Sequence, residues 1–157
     1  MSAPHDGAAV RLPPPLVYLI AVIAGVLVHV YVHPLPLGLS PGVRIAASAV
    51  LFAAGLALGI GAIAHFRRTG QSPAPWTSTP AIIARGSYRL TRNPMYVGMT
   101  LFQASFAFAA ANGWILALIP LVVLVVQVTA IRHEEAYLER KFGATYLDYK
   151  KRVRRWI

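Results

Sequence analysis

The sequence predicts an all-α polytopic membrane protein: four transmembrane helices and an amphipathic interfacial helix at the C-terminal end. Three observations carry that prediction. The 157 residues are 57% hydrophobic and only 13% charged, too apolar a balance for an ordinary soluble domain. The apolar residues come in blocks of the length that crosses a bilayer, roughly 20 residues each. Lys and Arg fall before, between or after those blocks, apart from Arg44, which opens the second.

Residues Met1 to Pro13 read as a short surface tail with one basic residue, Arg11. Pro13-Pro14-Pro15 stiffens the start of the first helix, where proline is tolerated. The first span is expected over 14–33. No small-residue cleavage site follows it, so it reads as a retained anchor and not as a cleaved signal. The run from Pro34 to Gly42 is a tight loop, and the second span is expected over 43–66. Arg67-Arg68 ends it. The stretch Gln71 to Pro80, with Pro73, Pro75 and Pro80, is loop punctuation inside a polar connection over 67–93. The third span is expected over 94–111, the turn at Asn112-Gly113, and the fourth span over 114–131, with Pro120 a candidate kink. The tail, 132–157, places Ala136, Tyr137, Leu138, Phe142, Tyr146, Tyr149 and Val153 near helical spacing with charges between them. This predicts an amphipathic helix on the membrane surface, broken at Gly143.

Charge sets the orientation. Arg67, Arg68, Arg85, Arg89 and Arg92 lie in the middle connection, and eight further Lys and Arg lie in the tail. The loops after the first and third helices carry none. The positive-inside rule therefore puts both termini and the middle connection in the cytoplasm of a multi-pass cell-membrane (inner-membrane) protein. The net charge of +10 would suggest nucleic acid in a soluble protein. Here the charges flank membrane segments, so anionic lipids are the expected partner and nucleic acid is not. There is no cysteine, which removes disulfides and thiolate chemistry.

Two polar stretches bracket the last helical hairpin and are expected on the same side of the membrane. The first is Gly86-Ser87-Tyr88-Arg89-Leu90-Thr91-Arg92-Asn93-Pro94-Met95-Tyr96-Val97-Gly98. Asn93 suits an N-cap and Pro94 a first helical position, so a well-made helix start with an interfacial Tyr96 explains part of it. Unpaired N–H groups at that start also favour an anion such as a carboxylate. The second stretch opens on Glu134-Glu135, two of only five acids. Carboxylates near a helix C-terminus are unfavourable unless paired. Pairing with Arg89, Arg92 or Arg132 is one reading; a cationic or hydroxyl-rich ligand is the other.

Together, Gly86-x-Tyr88-x-x-x-Arg92-Asn93-Pro94-Met95-Tyr96-x-Gly98, a hairpin, and Glu134-Glu135-x-x-Leu138-x-x-x-Phe142-Gly143-x-x-Tyr146-x-x-Tyr149-x-x-x-Val153-x-Arg155-Trp156 resemble the isoprenylcysteine carboxyl methyltransferase family. Phospholipid N-methyltransferases are more distant relatives of that family. The resemblance spans roughly Pro80 to Trp156. It implies S-adenosyl-L-methionine held by Tyr88, Asn93, Pro94, Met95, Tyr96 and Glu134, with Glu135 beside them and Ile82 and Ile83 where relatives line the adenine. The best-known eukaryotic members carry His at the position of Asn93. It further implies a small lipophilic methyl acceptor: an isoprenylcysteine-type carboxylate, a lipid amine or a thiol. A carboxylate or thiolate acceptor needs no general base at neutral pH, and no catalytic triad or dyad is evident. Arg92 and Arg132, or Arg89, are the candidates to hold an acceptor carboxylate.

Other signals point elsewhere. Gly55-x-x-x-Gly59-x-Gly61 follows no strand and reads as helix packing in a membrane, not as a nucleotide loop. His29 and His33 have the spacing of metal ligands but no acidic partner or third ligand near them, and no metal site is expected. Two other functions compete with methyl transfer. One is an NADPH-dependent membrane reductase, since the C-terminal half of sterol reductases resembles this family. The other is a lipid-binding membrane scaffold without activity. Oligomeric state stays open.

Overall fold

In the computed structural model, residues 7, 8, 10, 12–68, 70, 72, 74 and 77–157 are described. Every regular element among them is helical. The elements are α1 (Pro14–Tyr31), α2 (Pro41–Arg68), a 3-10 turn (Gly86–Arg89), α3 (Pro94–Ala109), α4 (Gly113–Ala117), α5 (Ile119–Val126), a π turn (Gln127–Ile131), α6 (Arg132–Phe142) and α7 (Ala144–Arg152). No strand occurs among the described residues; an isolated bridge joins Pro36 to Asn112.

Three helices are long and apolar enough to cross a membrane: α1, α2 and the 30-residue rod Gly113–Phe142 that α4, α5, the π turn and α6 build in series. α3 has 16 residues. At 1.5 Å per residue it rises ~24 Å, short of a ~30 Å hydrocarbon core. Large apolar side chains such as Leu19, Ile20, Val50, Ile60 and Phe106 point outward. That is expected where the surrounding medium is hydrocarbon and burial inside the bundle brings no further gain.

α2 and α3 pack tightly and run antiparallel. Ser48 meets Ser105, hydroxyl to hydroxyl at 3.0 Å, Phe52 stacks tilted on Phe102 at 5.2 Å, and Gly55 faces Gly98. As one number rises the other falls. A Cβ on Gly55 would stand 2.9 Å from the Gly98 carbonyl oxygen, and one on Gly98 would stand 3.0 Å from that of Gly55. The backbones touch, as small-residue crossings in membranes allow. The packing reading of this glycine pattern therefore holds, with Gly55 at the contact.

The two loops away from the basic side lie together. Gly113 N–H donates to Leu35 O at 2.7 Å, Trp114 Nε1 donates to His33 O at 2.8 Å, and Asn112 Nδ2 donates to Gly25 O at 3.1 Å. Asn112 also caps α4, its Oδ1 accepting from Trp114 N and Ile115 N. His29 Nδ1 accepts from Leu35 N at 3.2 Å, a loop cap.

Three details differ from the sequence expectation. The fourth helix does not stop at Ile131. Arg132 to Phe142 contains no glycine or proline and many strong helix formers, so the rod continues for three further turns. The break occurs at Gly143, as expected, with φ +52°, a conformation that suits glycine alone. The segment after it does not simply lie on a membrane surface. It folds back and buries Tyr137, Tyr146 and Tyr149. The N-terminal segment is more than a surface tail: Ala8 is buried, and Val10 and Leu12 pack on the core of Val17, Tyr18, Tyr96, Val122 and Val126. Arg11, Gln71, Pro73 and Pro75 lie outside the described residues. Pro120 stands in the first turn of α5, just after the chain breaks helix at Leu118.

Candidate active site

A cavity of about 350 Å³ opens at the basic end of the bundle. Its walls are the first turn of α3, one side of α6, the buried tyrosines of α7, the end of α2, the loop over 79–83 and the prolines that start α1. The volume lies in the ~300–1,000 Å³ range of small-molecule sites.

Ten residues singled out from the sequence line this cavity. Ile82 and Ile83 come from the loop, Tyr88 from the 3-10 turn, and Arg92 and Asn93 from the bend before α3. Pro94, Met95 and Tyr96 come from the first turn of α3, and Glu134 and Glu135 from α6. Arg132 is not among them; it is exposed on the rod.

Side chains reach their places through a specific set of contacts. The Tyr96 hydroxyl donates to Glu134 Oε1, linking α3 to α6 across the cavity. Tyr96 is itself fixed from α1, because Tyr18 Oη donates to the Tyr96 carbonyl at 3.1 Å. Glu135 behaves differently from its neighbour. It is 6% exposed and engages two guanidinium groups, Arg92 at 3.0 Å and Arg155 at 3.0 and 2.7 Å. The pairing of the Glu pair with Arg92 expected from the sequence is thus seen at Glu135, inside the protein. Arg92 also donates through Nη1 to Lys150 O at 3.1 Å, and its buried Nε has no hydrogen-bond partner.

Asn93 does not cap α3. Its side chain makes no capping bond; Nδ2 donates instead to Arg155 O at 3.0 Å. Thr91 Oγ1 accepts from Asn93 N at 3.1 Å. The N–H groups of Met95 and Tyr96 have no intrahelical acceptor, as in any first turn, and both residues line the cavity.

The tyrosines around the opening are held as neutral donors. Burial raises the Tyr88 phenol above its ordinary value, and the nearby Glu134 charge adds to that. Burial likewise raises Tyr146, with Glu135 adding to it. It pushes Tyr149 up to about 12, against the opposing Arg92 guanidinium. Tyr149 Oη donates to Tyr88 O at 2.7 Å, tying α7 to the 3-10 turn. The Glu135 hydrogen bond raises the already high value of Arg155.

Several participants were not picked out from the sequence. Tyr18 carries no local motif, and Thr91 stands in the first polar stretch with no role assigned to it. Arg155 sits in a basic run that looks like an interfacial anchor, and only the spacing of Arg155-Trp156 in the second motif marked it. Phe66, Met99 and Pro13 to Pro15 line the cavity by folding alone.

The donor set suits a compact cationic molecule with a carboxylate of its own. Among the described lining residues the carboxylates are Glu134 and Glu135 and the one guanidinium is Arg92, already paired. A first helical turn offers N–H groups to an anion, and Ile82, Ile83, Pro94 and Met95 offer apolar surface.

A family model described as phospholipid methyltransferase matches residues 43–145. A protein of Haemophilus influenzae described as uncharacterized is 35% identical over 63 residues, which is 40% of this chain and the whole of that protein. No solved structure matches. The family match begins at the start of α2, well before the motifs, and runs beyond Gly143, so it takes in α2, α3, the rod and the Tyr96–Glu134 pair. On that span, this chain, with its three membrane-length helices, belongs to the phospholipid methyltransferase family, whose activity is methyl transfer.

Proposed function

We propose that the chain transfers a methyl group from S-adenosyl-L-methionine, bound in the cavity between α3 and α6, to a small lipophilic acceptor at the cytoplasmic side of the cell membrane. The observation that carries this reading is the Tyr96–Glu134 hydrogen bond, which joins the first turn of α3 to an α6 carboxylate in the cavity wall. When bound, the cofactor supplies a methyl group already activated on a sulfonium. The protein's task is then alignment and exclusion of water, and positioning alone is worth much of such a barrier.

The residues divide that task. Glu134, held by the Tyr96 hydroxyl, offers a carboxylate with room for further donors to a cationic group. The N–H groups of Met95 and Tyr96 face where a carboxylate is favoured. Ile82, Ile83 and Met95 keep water from one wall. Arg92 is already committed to Glu135 and the Lys150 carbonyl, and its remaining nitrogen, Nε, is buried. Arg132 stands away from the cavity, so an acceptor carboxylate held by Arg132 has no support in the geometry. Which acceptor is used, a prenylated thiol acid, a lipid amine or a thiol, is open to direct assay. NADPH fits less well, because its phosphates would meet the two carboxylates with no uncommitted guanidinium group among the described lining residues to offset them.

Calorimetric titration of the detergent-purified protein with S-adenosylhomocysteine tests the reading. Saturable binding that Glu134→Ala abolishes is the expected result. No binding by protein that is folded and monodisperse would overturn it, and NADPH binding in its place would assign the cavity to a reductase.

A further inference from the structure

The residues just before α3 are held by a part of the chain far away in sequence. Three donors from 91–93 end on two consecutive carbonyls of the segment that follows α7. Arg92 N–H donates to Arg154 O at 2.9 Å, and Thr91 Oγ1 and Asn93 Nδ2 donate to Arg155 O at 2.9 and 3.0 Å. The Arg155 guanidinium then reaches across to Glu135 on α6 and grips both carboxylate oxygens, while Arg92 holds the same carboxylate from the other side. Thr91 is fully buried and Asn93 nearly so.

We infer that Arg155 is a positioning residue for the cavity: through its carbonyl and its guanidinium it latches the start of α3 to α6, and so sets the first turn of α3 opposite Glu134. The inference rests on the methyl-transfer reading for its ligand, but not for its geometry. It gives Asn93 and Glu135 a role different from contact with a cofactor. Both are receptors for the latch, since the Asn93 amide donates to the Arg155 carbonyl and the Glu135 carboxylate accepts from the Arg155 guanidinium. A paired, fully hydrogen-bonded carboxylate in this place is costly to disturb, because removing one cation leaves a buried charge short of a partner. A bidentate guanidinium also fixes direction, which a lysine ammonium does not.

The latch has a readout separate from any ligand. Hydrogen–deuterium exchange of the full chain in detergent reports the Arg92 amide directly, because its acceptor is Arg154 O. Arg155→Ala should speed exchange across 91–97 on the order of tenfold or more, while exchange at the α2–α3 crossing near Gly55 and Gly98 stays slow, which shows the bundle is folded. S-adenosylhomocysteine binding should weaken on the order of tenfold in the same variant, with Arg155→Lys recovering part of it. Thr91→Val, which removes one donor and little volume, should weaken binding in the same direction and show less than additive loss when combined with Arg155→Ala. Unchanged exchange across 91–97 in Arg155→Ala overturns the latch. So does strict additivity of the two substitutions. If the wild-type protein binds no S-adenosylhomocysteine while exchange still responds to Arg155, the latch stands and the cofactor assignment falls.

Discussion

At Tyr96 one residue joins three helices. Its hydroxyl holds Glu134 on α6, and its carbonyl accepts from Tyr18 on α1 and from Thr100 one turn along α3. Only the first of these contacts needs the hydroxyl. Tyr96→Phe keeps the ring in the core and every carbonyl contact, so the bundle should stay folded in detergent, with a lowered thermal midpoint. Glu134 loses its donor, and a hydrogen bond to a charged group is worth about 1.5–3 kcal/mol. S-adenosylhomocysteine affinity should therefore fall on the order of tenfold or more. Equal affinity in the variant and the wild type would take the hydroxyl out of the site. At this scale the sequence already pointed to the cavity wall, because Tyr96, Glu134 and their neighbours form contiguous motifs at a helix boundary. It could not separate the two glutamates. Both read as acids that either pair with Arg89, Arg92 or Arg132 or meet a ligand, and the second cation on Glu135 lies 20 positions further on, where no local pattern connects them. Asn93 misled for a related reason. Its residue type and position suit a cap, and only the arrival of the Arg155 carbonyl shows that the amide is used elsewhere.

Among the helices, the α2–α3 crossing decides how closely the site's framework can be held. Gly55 and Gly59 look equivalent in the sequence, four apart in one small-residue pattern. The structure distinguishes them. A Cβ at Gly55 would meet the Gly98 carbonyl at 2.9 Å and the Phe102 ring at 3.0 Å, whereas at Gly59 nothing lies within 4 Å. Gly55→Ala should then cost ~1–3 kcal/mol through overpacking. Gly59→Ala should be neutral or gain up to ~1 kcal/mol from helix propensity. The midpoint of heat-induced loss of the monodisperse peak on size exclusion compares the two, and a larger loss at Gly59 would contradict the crossing. Helix existence was readable from block length and punctuation, since Pro41, Pro94 and Gly143 each stand at a helix boundary. Helix continuity was not. The change from apolar to charged residues at Arg132 looks like an element boundary, but it marks a change of surroundings along one rod. A helix needs only its backbone bonds and tolerates that change. The π turn over Gln127–Ile131, just before it, has no signature in composition either. Trp156 Nε1 donates to Gln127 Oε1 at 3.0 Å, so the distant segment that latches the site also touches this turn.

For the molecule as a whole, the open question is whether α3 crosses the bilayer despite its 16 residues. Its two ends lie at opposite ends of the bundle: Asn112 beyond its last turn sits on Leu35 and Gly25, while the bend before its first turn meets α7 and the basic segment. The Lys and Arg distribution asks for the same arrangement, with the loops over 32–40 and 110–112 on the side that carries no Lys or Arg. The bilayer can thin locally, at a cost of a fraction of a kcal/mol per Å, to meet a short helix. We therefore expect four crossings. The absence of cysteine makes the test direct, because any introduced thiol is the only one present. Leu37→Cys and Ala110→Cys should react in intact cells with a membrane-impermeant maleimide. Arg85→Cys and Lys151→Cys should react only after the membrane is opened. Ala110, Arg85 and Lys151 are exposed in the structure and Leu37 is half-buried, so none of the four is shut off by protein burial. Labelling of Leu37→Cys without Ala110→Cys would mean that α3 enters and returns without crossing. The cavity would then lie deeper than the cytoplasmic surface, and a water-soluble cofactor would lack the direct route that the proposed reaction needs.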